Sequence, residues 1–156
     1  MKFDRLKPIL ELVGSGAVLI GLIFVGLELR QNTAAVQAAS LQNQTDASTD
    51  FLTLVASDAD LARIWVEGQN NPGSLNEADA FRYFLLTRAR WLRMQNAFLQ
   101  WRRGMLTDDD WILYEGLICD PAATAGRGPV STWSEHRPAL ADDFVAFVDE
   151  CLTEDR

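Results

Sequence analysis

Apolar and polar positions separate along this chain before they alternate within it. From Leu12 to Leu27 sixteen consecutive residues, LVGSGAVLIGLIFVGL, carry no charge. No polar stripe runs through them, unlike a helix that lies half in water. Ile9, Leu10 and Leu29 extend the run over residues 9–29, broken only by Glu11 and Glu28 near its ends. About 20 helical residues cross a bilayer core, so residues 9–29 are expected to form a transmembrane helix. Glu28 and Arg30 stand where a signal-peptide cleavage region would hold small residues, which makes the run an uncleaved signal anchor. Lys2, Arg5 and Lys7 in the basic segment 1–8 outweigh Arg30 on the other flank. The positive-inside rule then keeps the N-terminus in the cytoplasm and sends the rest across.

After Leu29 neither Gly nor Pro occurs until Gly68. Residues 30–56, rich in Ala, Gln and Asn, are expected to continue the helix beyond the membrane. One seven-residue register holds Val13, Ile20, Leu27, Ala34, Leu41, Ser48 and Val55. Its partner holds Leu10, Ala17, Phe24, Gln31, Ala38, Thr45 and Leu52. Heptad spacing suits a helix–helix seam, filled here by small and polar residues. The other reading is one amphipathic helix folded back on its own domain. Inside the span, Ala17 and Gly21 form a small-xxx-small pair, and Gly14 lies seven residues before Gly21 on the same face. The expected self-association surface is Gly14, Ala17, Gly21 and Phe24 in the span and Gln31, Ala34, Ala38 and Leu41 beyond it.

Residues 57–156 show helical periodicity, no strand-like alternation and no repeat of domain size. Asp58 is placed to cap a helix that Gly68 stops, followed by a loop at Asn70, Asn71, Pro72 and Gly73. Asn76 with Asp79 opens a long helix reaching Arg103, and Gly104 ends it. Phe81, Phe84, Leu85, Leu92, Phe98 and Leu99, with Trp91 and Trp101 nearby, recur at helical spacing and mark the expected core. Thr107 with Asp108, Asp109 and Asp110 begins the next helix. A loop over 121–129, a short helix near 131–137 and a last helix over 141–152 follow. The expected fold is all-α: one transmembrane helix (9–29), a juxtamembrane helix (30–56) and a small water-facing bundle (57–156).

Charge is segregated within a net of −8. Residues 76–105 hold six arginines and two acids, whereas residues 106–156 hold three arginines and twelve acids. Internal pairing of Arg82, Arg88, Arg90, Arg93, Arg102 and Arg103 with Asp108, Asp109, Glu135 or Asp142 accounts for this. The overall acidity argues against a nucleic-acid partner. The same arginines, Arg88, Arg90 and Arg93 foremost, are the candidates for contact with an anion or lipid headgroup. Asp108, Asp109 and Asp110 resemble a metal site, but successive helical residues point apart, and acids favour a helix start in any case. One His and two distant Cys leave no zinc pattern. Cys119 and Cys151 permit one disulfide. They are read first as buried thiols, with a bridge open to them if the region is exported. Glu135 beside His136 could do acid–base work, but no nucleophile motif or phosphate loop accompanies them, so no catalytic residue and no cofactor is assigned.

Residues 21–33, GLIFVGLELRQNT, resemble the membrane exit of a widespread group of uncharacterised bacterial single-pass membrane proteins. The resemblance continues through Asp60, Leu61, Ala62, Arg63, Ile64, Trp65 and Gly68. It takes in Asn96, Ala97, Phe98, Leu99 and Gln100 with Arg102 and Gly104, then Trp111, Trp133 with Glu135 and Arg137, and Phe144 with Phe147. Gln95 stands where members often carry an acid, and Ala34–Gln37 lacks their extra basic residues. The resemblance covers nearly the whole chain. It implies an anchored helical domain in a bacterial inner membrane, with no activity attached and no catalytic residues to carry over.

The leading functional expectation is a non-enzymatic, self-associating scaffold or accessory subunit of a membrane complex, with the bilayer and a second copy or another membrane protein as partners. A second is a sensor binding an anionic ligand or headgroup through the Arg-rich helix. A third is an oligomeric pore lined by Gln31, Asn32, Gln37, Gln42, Asn43 and Gln44.

Overall fold

A computed structural model describes residues 7–119 and 132–153. Among them the chain forms six α-helices and no strand: α1 (Lys7–Ser57), α2 (Ala59–Asn70), α3 (Glu77–Arg102), α4 (Asp108–Cys119), α5 (Trp133–His136) and α6 (Asp142–Thr153). The all-α expectation holds, including one uninterrupted helix through the apolar run and the polar stretch after it. The loop expected at 121–129 lies outside the described residues.

The chain divides into two compact units, Met1–Ala38 and Ala39–Arg156. The first is helical from Lys7. Its large apolar side chains from Val18 to Leu29 are all exposed, Ile20 at 67% and Phe24 at 64% among them. This helix is long and apolar enough to cross a membrane. Beyond the run, the Thr33 hydroxyl donates to the Leu29 carbonyl at 2.9 Å, which satisfies it without leaving the helix.

The second unit begins inside α1, so residues 39–57 belong to the fold and are not a free stalk. Gln44 is buried, and Ser48, Phe51 and Val55 are half-buried along the same face. The four lie at spacings of four, three and four, the row of an amphipathic helix. Ser48 and Val55 fall in one expected heptad register. Gln44 and Phe51 replace Thr45 and Leu52, which remain exposed. Phe51 meets Trp65 of α2 edge-on, with ring centroids 5.5 Å apart.

Asp58 caps α2 as expected, accepting from the Asp60 and Leu61 amides at 2.9 and 3.1 Å. Gly68 does not stop the helix, which runs two residues further to Asn70 before a 3-10 turn at Pro72–Ser74. Gly68 instead lets α2 close on α3. A Cβ there would lie 2.6 Å from Tyr83 Cγ and nearer still to the ring edge. The helices are clasped alongside by Asp79, which accepts from Arg63 at 3.0 Å and lies 3.6 Å from Arg82.

Asn76 caps α3 through the Asp79 amide at 2.9 Å. Gly104, at φ +72°, closes its other end. The Gly104 amide donates to the Trp101 carbonyl, and the Met105 amide to the Gln100 carbonyl, the paired bonds of a Schellman motif. The core face of α3 matches the expected one at Trp91 and Phe98, with Leu99 and Trp101 packed against it, and departs from it elsewhere. Tyr83, Thr87, Trp91, Met94 and Phe98 are buried, while Phe81 (61%), Leu85 (49%) and Leu92 (43%) face outward. Both rows recur at helical spacing. The inner one is selected by its partners: Gly68 against Tyr83, His136 against Thr87, and Phe144 against Trp91 and Phe98.

Those partners define the core. Trp91 lies 4.6 Å from Trp133 and 6.3 Å from Phe144, and Phe98 packs on Trp111, Phe144 and Phe147 at 5.7, 5.5 and 5.2 Å. Thr107 starts α4 with a reciprocal capping box. The Asp110 amide donates to the Thr107 hydroxyl, and the Thr107 amide to the Asp110 carboxylate. Cys119 at the end of α4 is joined to Cys151 of α6 by a disulfide, with Cα atoms 5.1 Å apart. The free-thiol reading is therefore replaced. Their separation of 32 positions in sequence said nothing of their proximity, which arises because α4 and α6 pack together.

Two outcomes follow from this packing. Gly68→Ala should lower stability by about 1–3 kcal/mol through overpacking against Tyr83. Chemical denaturation checks this, and a midpoint equal to wild type would contradict the close approach. Opening the bridge, by reductant or as Cys119→Ser with Cys151→Ser, should cost about 3–4 kcal/mol for a loop of this length. Thiol titration of protein isolated without reductant should find no free thiol until it is unfolded and reduced.

Candidate functional site

The arginines of α3 were expected to pair with Asp108, Asp109, Glu135 or Asp142. Among the described residues they do not. Asp108 accepts instead from Trp101 Nε1 at 2.8 Å, and Asp110 serves the α4 cap. The three successive acids therefore have separate surroundings. Arg102 lies over the Phe98 ring, its guanidinium carbon 5.9 Å from the centroid. Asp149 is the clasp that sequence reasoning missed. It accepts from Trp133 Nε1 at 2.8 Å and from Arg137 at 2.6 Å, tying α5 to α6.

Arg88 is committed elsewhere. Its two terminal nitrogens donate to the His136 carbonyl at 3.2 Å and the Ala139 carbonyl at 3.0 Å. It thus satisfies carbonyls that α5 and the following 3-10 turn leave open. His136 beneath it is fully buried. The Thr87 hydroxyl is 3.0 Å from the Tyr83 and Phe84 carbonyls and 2.9 Å from His136 Nε2. With the hydroxyl proton directed at those carbonyls, Nε2 is the donor, and Nδ1 is left bare and without a partner. Burial pushes the imidazole below its ordinary value of 6.5, the positive charge of Arg88 pushes it further, and Glu135 opposes them. Glu135 is exposed, so the pair expected to do acid–base work, or to be held together by charge, is split between core and surface.

Arg90 and Arg93 remain. They face a groove of about 330 Å³ lined by Ser48, Phe51 and Leu52 of α1, by the two arginines, and by Leu117 of α4. Both are half-buried. The Nε of each is enclosed without a hydrogen-bond partner. Neither has a carboxylate within ion-pair distance among the described residues. Burial lowers both guanidinium pKa values. Arg93 lowers that of Arg90 further, while Tyr83 and Tyr114 act in the opposite direction on Arg90 and Arg93 respectively. Arg93 stacks on Phe51, 5.5 Å above the ring centroid, which leaves the in-plane donors of its fork uncommitted. Burial raises the Tyr114 phenol, with Asp110 acting the same way, while Arg93 and Ser48 on the groove wall oppose this.

Of the three arginines expected at an anion site, the fold brings together Arg90 and Arg93 and diverts Arg88. The groove residues that sequence reasoning missed include Ser48, which stands in an expected heptad register, and Phe51, whose place in the partner register was given to the neighbouring Leu52. The expected self-association residues, Gly14, Ala17, Gly21, Phe24, Gln31, Ala34, Ala38 and Leu41, are all exposed on α1. Gln44, one of the amides expected to line a pore, is buried inside the second unit. Comparison with protein-family models, curated proteins and solved structures finds no match to the chain.

The buried imidazole gives a pH dependence with a definite sign. The folded state holds the neutral ring, so on acidification the unfolded chain takes up the proton first. This contribution to stability is complete above about pH 6.5. It declines as pH falls below that value, until the ring titrates within the fold. Scanning calorimetry between pH 7.5 and 5.5 should show the melting temperature falling with pH. That slope should be reduced in His136→Gln, which can keep a hydrogen bond to Thr87 but cannot titrate. Equal slopes would contradict the assignment.

Proposed function

We propose that this chain is a single-pass, membrane-anchored helical protein that self-associates and serves as a scaffold or accessory subunit of a membrane complex. The observation that carries the reading is apolar surface left uncovered in both units. In the first, the helix from Val18 to Leu29 exposes every large apolar side chain, which a water-bathed chain does not sustain. A bilayer covers such a surface, and the exposed Gly14, Ala17 and Gly21 let a second such helix approach closely.

In the second unit, Phe81, Leu85 and Leu92 form an outward row on α3. Leu85 borders a groove of about 300 Å³ shared with Phe51, Leu54, Leu61, Arg82, Leu86 and Ala89. An apolar row at helical spacing suits a partner helix. The disulfide supports placing this unit in an oxidising compartment, since such bonds persist outside the cytoplasm. That agrees with the charge bias that keeps the N-terminus inside. The resemblance of residues 21–33 to bacterial single-pass proteins points to a bacterial inner membrane, and the charge bias with the disulfide to a periplasmic folded unit.

Native mass spectrometry of protein extracted gently from its own membranes tests the assembly. A discrete homo-oligomer, lost on Leu85→Glu or Gly21→Leu, is the expected result. Retention of the homo-oligomer in both variants would remove the surfaces proposed here. Monomer alone, with cross-linking in intact membranes also giving monomer, would refute self-association.

A further inference from the structure

Two half-buried guanidiniums three residues apart on one helix are an unfavourable arrangement unless something negative lies between or beside them. Like charges at that spacing repel, and buried charges are ordinarily paired. Arg63 and Arg82 have Asp79, Arg137 has Asp149, and Arg88 has two carbonyls. For Arg90 and Arg93 the described chain supplies no carboxylate, although fourteen Lys/Arg face twenty-two Asp/Glu in the whole sequence. Among the described residues of this acid-rich chain nothing neutralises these two, so the groove offers an anion two guanidiniums without a carboxylate beside them.

The surroundings narrow what that is. The groove is mostly hydrocarbon: Phe51 forms one wall, and Leu52 (65% exposed) and Leu117 (41%) stand at its rim. Ser48 is the polar residue on the α1 side. A hydrated inorganic anion would gain the two guanidinium forks but leave the leucines facing water. An acid on an aliphatic chain matches both halves, its head on the forks and its chain along Leu52 and Leu117. The groove, at about 330 Å³, falls at the small end of the roughly 300–1,000 Å³ typical of small-molecule sites.

We propose that the groove between the C-terminal half of α1, α3 and α4 binds a small anionic amphiphile, a phosphate or carboxylate carrying an aliphatic chain, with Arg90 and Arg93 holding the acid group. Bidentate geometry makes guanidinium the fitting donor for either acid. Because the ligand bridges α1 to α3 and α4, its binding also fixes the end of α1 on the bundle. This site is separate from the outward row of α3 and does not depend on self-association.

Titration calorimetry on the full chain in a neutral detergent, with hexyl phosphate, inorganic phosphate and hexanol as probes, tests the assignment. Hexyl phosphate should bind at least tenfold more tightly than either fragment. Arg93→Gln should weaken it at least tenfold, with the ligand-free melting temperature reporting whether the variant folds, and Arg103→Gln should leave it unchanged. Leu52→Gln, at an exposed position that folding tolerates, should weaken hexyl phosphate severalfold and leave inorganic phosphate unaffected. Equal affinity for inorganic phosphate would overturn the amphiphile. Failure of hexyl phosphate to bind the folded wild type, or unaltered binding in folded Arg93→Gln, would overturn the site.

Discussion

Phe144 is enclosed between Trp91, Trp133 and Phe98, and the second unit is organised around that contact. Trp91 and Phe98 lie seven residues apart on α3, two turns, so both face the same way and both meet Phe144. Aromatic pairs at these separations add about 0.5–1.5 kcal/mol each beyond the area they bury. With Phe144 in place, α6 lies along α3, and Cys151 is carried to the end of α4, where Cys119 waits. The bridge then holds at one end what the aromatic cluster holds in the middle. Trp133 is fixed from two sides, by Trp91 and by the Asp149 carboxylate. That position sets His136 over Thr87 and lets Arg88 reach the carbonyls beyond it.

Using one face of α3 for this contact has a consequence for the other. The helix carries apolar residues on both sides, and the bundle covers only one. The outward row and the uncovered span in the first unit are the same kind of feature, hydrocarbon that the described residues do not cover. Charge shows a parallel imbalance. The basic middle and the acidic last third are adjacent in the fold, yet few of their charges meet. Acids cap helices or clasp neighbouring turns, and arginines are spread among carbonyls, rings and one groove. Among the described residues, Arg90 and Arg93 take part in no ion pair although an acidic segment follows them.

Helix ends were legible in the sequence wherever a side chain or a glycine makes them, as at Asp58, Asn76, Thr107 with Asp110, and Gly104. Each is a local event of three or four residues, which a linear reading captures. The core face of α3 was legible in part: Trp91 and Phe98 belong to it as expected, whereas Phe81, Leu85 and Leu92 share the periodicity of the inner row, and only partners distant in sequence distinguish the two. Gly68 was read as punctuation when its role is to admit Tyr83 from another helix. The candidate groove was half-visible. Arg90 and Arg93 stand out in composition, but the diversion of Arg88 depends on where residues 136 and 139 lie. The contribution of Phe51 depends on a one-residue choice of register, against Leu52, that small, polar heptad positions do not enforce.

We propose that the apolar helix crosses a bilayer and leaves the disulfide-bonded unit on the oxidising side. Protease added to the outside of intact spheroplasts tests this directly, followed by detection of the N-terminal and C-terminal ends of the chain. The account predicts that C-terminal epitopes are lost while an N-terminal fragment of anchor size stays in the membrane pellet. Complete protection until the spheroplasts are lysed would place the folded unit on the reducing side. Release of intact chain without protease would show that the helix does not anchor it at all.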